Sequence, residues 1–178
     1  MYKRQLKKGE KTDLNEFFDR VKKLNLRNSV FIDNTANNYV ASTYTKYLKN
    51  NIGVITCNKI ACSDNYENYI KLKNLSKKYN TPFLFETNVG AGLPIIDTLN
   101  HLIASGDKIK KIQAILSGSL NFIFNNYNTT RSFRDVVYDA MKKGYTEPDP
   151  KIDLSGVDVS RKILTVSYTH LRAHETAT

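Results

Sequence analysis

Ser29-Val-Phe-Ile-Asp-Asn-Thr-Ala-Asn-Asn38, then Gly53-Val-Ile-Thr-Cys-Asn-Lys59, then Phe83-Leu-Phe-Glu86 set the fold. Each is a short apolar run that ends in polar residues, and helix-length segments separate them. Val40, Tyr44, Tyr47 and Leu48 follow a helical period between the first and second runs, and Tyr66 to Tyr79 reads as a helix between the second and third. Strands alternating with helices in this way call for parallel βαβ units, with ligands received beyond the carboxyl ends of the strands. Those ends carry Asp33-Asn-Thr-Ala36 and Thr56-Cys-Asn-Lys59. Ser29 to Ile32 is expected to be a buried strand.

Upstream, Asp13-Leu-Asn-Glu16 has the spacing of a capping box, opening a helix through Leu14, Phe17, Phe18, Val21 and Leu24. Downstream, Pro94 is expected as the first residue of a helix through Ile96, Leu99, Leu102 and Ile103 to Gly106. Lys110 to Leu116 is a further strand candidate. Ser117-Gly-Ser119 is its turn, Leu120 to Tyr127 continues as helix, and Phe133 to Lys143 forms another helix ended by Gly144.

The chain has 178 residues and 40% hydrophobic content, enough for one sizeable core. No apolar run approaches the roughly 20 residues of a membrane helix. The N-terminus lacks the apolar stretch of a signal peptide, so a cytoplasmic protein with no membrane partner is expected. Cys57 and Cys62 are expected to be reduced thiols. The net charge of +10 raises nucleic acid as a partner. However, the lysines are scattered between apolar positions, as in Lys71-Leu-Lys-Asn-Leu-Ser-Lys-Lys78, which is the pattern of a solvated face, and no nucleic-acid partner is expected.

The chemistry is concentrated in Gly144-Tyr-Thr-Glu-Pro-Asp-Pro-Lys-Ile-Asp-Leu-Ser-Gly-Val-Asp-Val-Ser-Arg-Lys162. Pro148 pushes Glu147 out of helical conformation, and Pro150 stiffens the next step. Ser155 precedes Asp158 at N-cap spacing, and Asp158 and Lys162 then share one helical face. Taken alone, an exposed Asp-Lys pair of this kind is common on helix surfaces and contributes only about half a kcal/mol.

The whole string closely resembles the signature of homoserine dehydrogenases, Gly-Tyr-Thr-Glu-Pro-Asp-Pro followed by Asp-Leu-Ser-Gly-x-Asp-Val-x-Arg-Lys. Asp33-Asn-Thr35, Thr56-Cys-Asn-Lys-Ile-Ala61 and Glu86 through Pro94 match the same family in order and spacing, over roughly residues 28–166. The dehydrogenase portion of bifunctional aspartokinase/homoserine dehydrogenases is the nearest resemblance. It implies NADP- or NAD-dependent interconversion of L-aspartate 4-semialdehyde and L-homoserine, on the way to threonine, methionine and isoleucine, by a homo-oligomer in the full-length protein.

By matched position, the resemblance makes Lys162 the proton donor or acceptor for the substrate hydroxyl and Lys59 a second catalytic lysine. Hydride delivery to an aldehyde creates an alkoxide that must be protonated, and an ammonium group also stabilises the oxyanion. Glu147, Asp158 and Asp153 become substrate-binding acids. Thr35, Lys59 and Gly144 become cofactor contacts. Glu86, Val89, Ala91 and Leu93 match a site for a monovalent cation such as sodium, the last three through carbonyls, which suits a hard cation. The alternative that Gly90-Ala-Gly92 cradles phosphate has only a lone Gly-x-Gly behind it. Ile152 stands where many relatives have an acid, which weakens the transfer to Asp153. Cys57 replaces a common proline.

The implied fold class is α/β. Residues 1–85 are expected to be the C-terminal part of a Rossmann-like dinucleotide-binding domain, lacking its glycine-rich first βα unit because no Gly-x-Gly-x-x-Gly follows a strand near the N-terminus. Residues 86–166 are expected to be a partial α/β substrate and dimerisation domain. Residues 167–178, with His170 and His174 four apart, read as a non-native tail and not as a metal site. A fragment truncated at both ends is expected to have weak activity or none. Two other classes stay open: a catalytically silent dimerisation fragment of the same family, and a basic nucleic-acid-binding protein.

Overall fold

A computed structural model describes residues 12–175, with side chains through His170. Asp13 accepts the backbone N–H groups of Asn15 (2.7 Å) and Glu16 (3.0 Å) and so caps α1 (Leu14–Leu24). Glu16 pairs with Arg20 instead of reaching back to close a capping box. Three parallel strands follow in the order β1 (Val30–Asp33), β2 (Gly53–Thr56) and β3 (Phe83–Leu84). Their register sets Asp33 opposite Thr56, and Ile55 opposite both Ile32 and Leu84.

The single helix expected between β1 and β2 is two short ones, α2 (Asn38–Ser42) and α3 (Tyr44–Lys49), separated at Thr43. The Thr43 hydroxyl bonds back to the Val40 carbonyl at 2.7 Å, a competing local bond at the break. After β2 come α4 (Ile60–Ser63) and α5 (Tyr66–Lys78). After β3 come α6 (Thr87–Gly90) and α7 (Ile95–Ala104). Pro94 is the N-cap of α7 and not its first turn, because Glu86 supplies the cap from outside: its two carboxylate oxygens accept the N–H groups of Ile96 and Asp97, each at 2.8 Å.

The β1 strand is not buried on both sides. Phe31 and Asp33 face the helices, while Val30 and Ile32 are exposed. Ile32, Ile55 and Leu84 form an exposed aliphatic row across the sheet, because the described helices cover one face only. On the covered face Tyr44, Tyr47, Leu48, Val54, Tyr69, Phe83 and Phe85 build the core, with Phe31 stacked on Tyr47 at 4.1 Å between ring centroids.

Lys110 to Leu116 forms no strand. The segment has no ladder partner among the described residues and is almost wholly exposed, Ile115 at 77%. Beyond it, α8 (Gly118–Asn126) and α9 (Phe133–Lys142) enclose a small second core of Ile123, Val136 and Ala140. Gly144, at φ 72°, ends α9 as expected: its N–H bonds the Met141 carbonyl and that of Tyr145 bonds the Ala140 carbonyl.

Two helices complete the chain, α10 (Pro150–Leu154) and α11 (Val157–Glu175). Gly156, not Ser155, provides the carbonyl that opens α11, accepting from Ser160 at 2.9 Å. The α11 helix lies against α4, α6 and α7, and its Val166 joins the main core, which therefore runs across the sequence boundary at residues 85–86. The helix also continues through the segment set apart as a tail. There, Thr169 is buried and the Tyr168 hydroxyl donates to the Asp64 carbonyl at 2.7 Å. In the His170–His174 pair, His174 lies outside the described side chains. No described helix is long and apolar enough to cross a membrane. Cys57 and Cys62 are free thiols.

Candidate active site

The packing of α11 on α4 brings Lys59 to a pair of residues far away in sequence, Asp158 and Lys162. Lys59 immediately precedes α4, and Asp158 and Lys162 occupy successive turns of α11. Lys162 Nζ lies 2.8 Å from Asp158 Oδ2, and Lys59 Nζ lies 3.2 Å from Asp158 Oδ1, so one carboxylate bridges two ammonium groups. Lys162 also donates to the Leu116 carbonyl at 2.7 Å, and its side chain is 18% exposed. Two of its three N–H donors are thereby committed, and among the described residues one is left over. Burial pushes the Asp158 carboxyl up, but the hydrogen bond from Lys162 and the charge of Lys59 outweigh it, and the group is held below the ordinary aspartate value.

The acidic arm is organised around Asp153. Asp153 is half-buried, with both oxygens engaged: Oδ1 accepts from Ser119 Oγ at 2.7 Å and Oδ2 accepts from the Glu147 backbone N–H at 2.9 Å. Its carboxylate therefore anchors the strip that carries Glu147. The Glu147 carboxylate is exposed and has no hydrogen-bond partner among the described residues. Leu116 and Ser119 together touch both parts of the site, one through Lys162 and the other through Asp153. Neither was singled out from sequence. Ser117-Gly-Ser119 has the look of a simple turn, and nothing local announces a partner 34 residues away.

At the strand ends, Thr35 is exposed, with its N–H bonded to Asp33 Oδ1 at 2.8 Å. Gly144 lies in the turn after α9, where Tyr145 stacks on Phe122 at 4.5 Å between ring centroids. In the Glu86 loop, Val89 is buried, Leu93 is exposed and its carbonyl accepts from the Ile95 N–H, and Ala91 adopts φ 51°, ψ −107°. That conformation costs a residue with a Cβ on the order of 1–3 kcal/mol. A Cβ on Gly90 would come within 2.6 Å of Ile95 Cγ1, so the loop approaches α7 more closely than any other residue type permits.

Sequence reasoning missed a buried polar network behind these loops. Asp33 Oδ2 accepts from the Tyr44 hydroxyl at 2.5 Å and from Asn58 Nδ2 at 3.0 Å, and the Tyr44 hydroxyl lies 2.8 Å from Thr56 Oγ1. Asn88 joins from α6: with its amide oriented to satisfy both groups, its nitrogen donates to the carbonyls of Thr56 and Cys57, each at 3.1 Å. Asp33, Thr56 and Asn58 belong to the polar tetrads expected to meet ligands, yet all three are buried.

Comparison with known proteins agrees along the length of the chain. Residues 3–86 match a family model described as homoserine dehydrogenase, NAD binding domain, and residues 94–176 match the model of homoserine dehydrogenase itself. The chain is 47% identical to bifunctional aspartokinase/homoserine dehydrogenase 1, chloroplastic, of Arabidopsis thaliana over 87% of its own length and 17% of the relative's. It is 44% identical to the homoserine dehydrogenase of Saccharomyces cerevisiae over 77% of its length and 39% of that enzyme. A hyperthermophilic archaeal homoserine dehydrogenase in complex with NADPH superposes with a TM-score of 0.70 at 30% identity, covering 79% of this chain and 43% of that one. The chain thus spans well under half of each of these proteins. With two models of one family laid end to end over an α/β fold that its solved members share, the chain belongs to the homoserine dehydrogenase family.

Proposed function

We propose that this chain carries the substrate half and the edge of the cofactor cleft of an NAD(P)-dependent homoserine dehydrogenase, which interconverts L-aspartate 4-semialdehyde and L-homoserine in threonine, methionine and isoleucine synthesis. The observation that carries the proposal is the bridge from Lys59 through Asp158 to Lys162, with Lys162 steadied by the Leu116 carbonyl. A nicotinamide cofactor, when bound, supplies or accepts the hydride at the carbonyl carbon. Lys162 then gives its proton to the alkoxide oxygen and retrieves one in the reverse direction. Asp158 orients both ammonium groups, and Lys59 adds positive charge where negative charge develops. Glu147, free of other partners among the described residues, takes the substrate ammonium group, while Asp153 holds its backbone in place.

The exposed Asn34 and Thr35 beyond β1 and the half-buried Lys59 beyond β2 fit a nicotinamide cofactor, with Thr35, Lys59 and Gly144 as its contacts. Glu86, Val89, Ala91 and Leu93 remain the proposed site of a monovalent cation such as sodium, and the strained turn at Ala91 supports a carbonyl directed to that purpose. The exposed apolar side chains Ile112 and Ile115 support homo-oligomerisation of the full-length protein.

The test is NADPH oxidation with aspartate 4-semialdehyde by this chain, alone and joined to the segments that precede and follow the matched region in the yeast relative. Turnover is expected in the joined form, with Lys162→Ala lowering it by about a hundredfold or more. Lys162→Arg is not expected to restore it, since a guanidinium stays protonated. Turnover that persists undiminished in Lys162→Ala, or a joined form with no turnover at all, overturns the proposal.

A further inference from the structure

We propose that Asp33 is a positioning residue: its buried carboxylate ties together the two loops that carry Thr35 and Lys59, and the Tyr44 hydroxyl holds it in place. Asp33 is 1% exposed and ends β1 opposite Thr56 on β2. One oxygen accepts the Thr35 N–H at 2.8 Å, so the β1 loop turns about it. The other accepts Asn58 Nδ2 at 3.0 Å, so the β2 loop is fastened to the same group.

Asn58 is held at every polar atom of its side chain. Its Nδ2 also donates to the Asn37 carbonyl at 3.0 Å, its Oδ1 accepts the Ile60 N–H at 3.1 Å, and its own N–H donates to Thr56 Oγ1 at 2.9 Å. Lys59 follows directly, and its reach to Asp158 at 3.2 Å depends on where that backbone lies. A buried carboxylate is tolerated only when well bonded. Burial pushes the Asp33 carboxyl up, but the hydrogen bonds from Tyr44, Thr35 and Asn58 outweigh it and hold the group below its ordinary value. Burial and the neighbouring Asp33 push the Tyr44 hydroxyl up, so it remains a donor.

A buried ion that only stabilised the core could sit anywhere in it. This one sits where two loops at the carboxyl edge of the sheet come together, and each of its bonds ends on one of those loops or on Tyr44.

The test compares Tyr44→Phe and Asp33→Asn with Tyr47→Phe, which removes a neighbouring buried hydroxyl that has no hydrogen-bond partner among the described residues. Lysine amines of the chain are labelled with ¹³C-methyl groups, and the Lys59 and Lys162 signals are assigned by Lys59→Arg and Lys162→Arg. The Lys59 signal is expected to shift or broaden in Tyr44→Phe and Asp33→Asn and to match the parent in Tyr47→Phe. This arm needs no turnover, so it stands apart from the proposed function. A second arm, which rests on that function, titrates NADPH by fluorescence. The dissociation constant is expected to rise about tenfold in Tyr44→Phe and Asp33→Asn, as for a lost hydrogen bond to a charged group, and to stay unchanged in Tyr47→Phe. Tyr44→Phe differs by one oxygen and retains the fold if Asp33→Asn does not. A folded Tyr44→Phe chain whose Lys59 signal matches the parent overturns the inference. A parent chain that does not bind NADPH counts against the proposed function and leaves the Lys59 arm to decide.

Discussion

Asp158 shows how a side chain that is ordinary in isolation acquires a role from what packs beside it. Its i, i+4 partner Lys162 was visible in the spacing, but Lys59 comes from the loop between β2 and α4. The folded-state pKa of Asp158 is depressed, so its stabilising effect is present above the unfolded value of about 3.9 and is lost as pH falls through the folded value. In Asp158→Asn that acid-dependent loss of stability should shrink, as read from urea midpoints at a series of acidic pH values. Lys59 and Lys162 would also lose their shared counter-ion, so turnover should fall in the same variant. Tyr47 makes the opposite point. Its hydroxyl is buried with no partner among the described residues, so Tyr47→Phe should leave stability unchanged or raise it by about 1 kcal/mol, measured by urea unfolding.

Among the elements, the loop from Glu86 to Pro94 is short but stiff. Glu86 spans it, bonding two N–H groups at the start of α7, while Gly90 presses on Ile95. Glu86→Ala should cost about 1–2 kcal/mol from the lost cap and should fray the first turn of α7 in hydrogen exchange. Glu86→Gln, which keeps one amide acceptor, should lose less. If Glu86 also serves the proposed cation, sodium should raise the melting temperature of the parent and not that of Glu86→Ala. The capping role was hidden in the sequence because Glu86 lies ten residues from Ile96 and only the folded loop brings them together. By contrast, Gly144 was legible as a helix stop because the left-handed turn it makes is a local property of the backbone.

The molecule as a whole has an uneven sheet. Helices cover the face bearing Phe31, Val54 and Phe83, while Val30, Ile32, Ile55 and Leu84 are exposed on the other. Exposed aliphatic rows on a sheet favour self-association. The double variant Ile32→Thr, Ile55→Thr should reduce aggregation and the binding of a hydrophobic dye, with little loss in melting temperature, since Thr suits a strand and these side chains are 60% and 39% exposed in turn. A large fall in melting temperature would show that the face is covered in solution.

The strand–helix alternation, the helix stop at Gly144 and the Asp158–Lys162 face were determined by the sequence itself, because each follows from local period, backbone freedom or spacing along one helix. Lys59 meeting Asp158, Asp153 anchoring Glu147, Glu86 capping α7 and the buried bonds of Asp33 were decided only by tertiary structure. Polar residues at strand ends look alike in sequence whether they face a ligand or each other. The packing of α11 on α4 and the register of β1 against β2 determine which groups lose water, and a polar group that loses water must find its partner inside the protein.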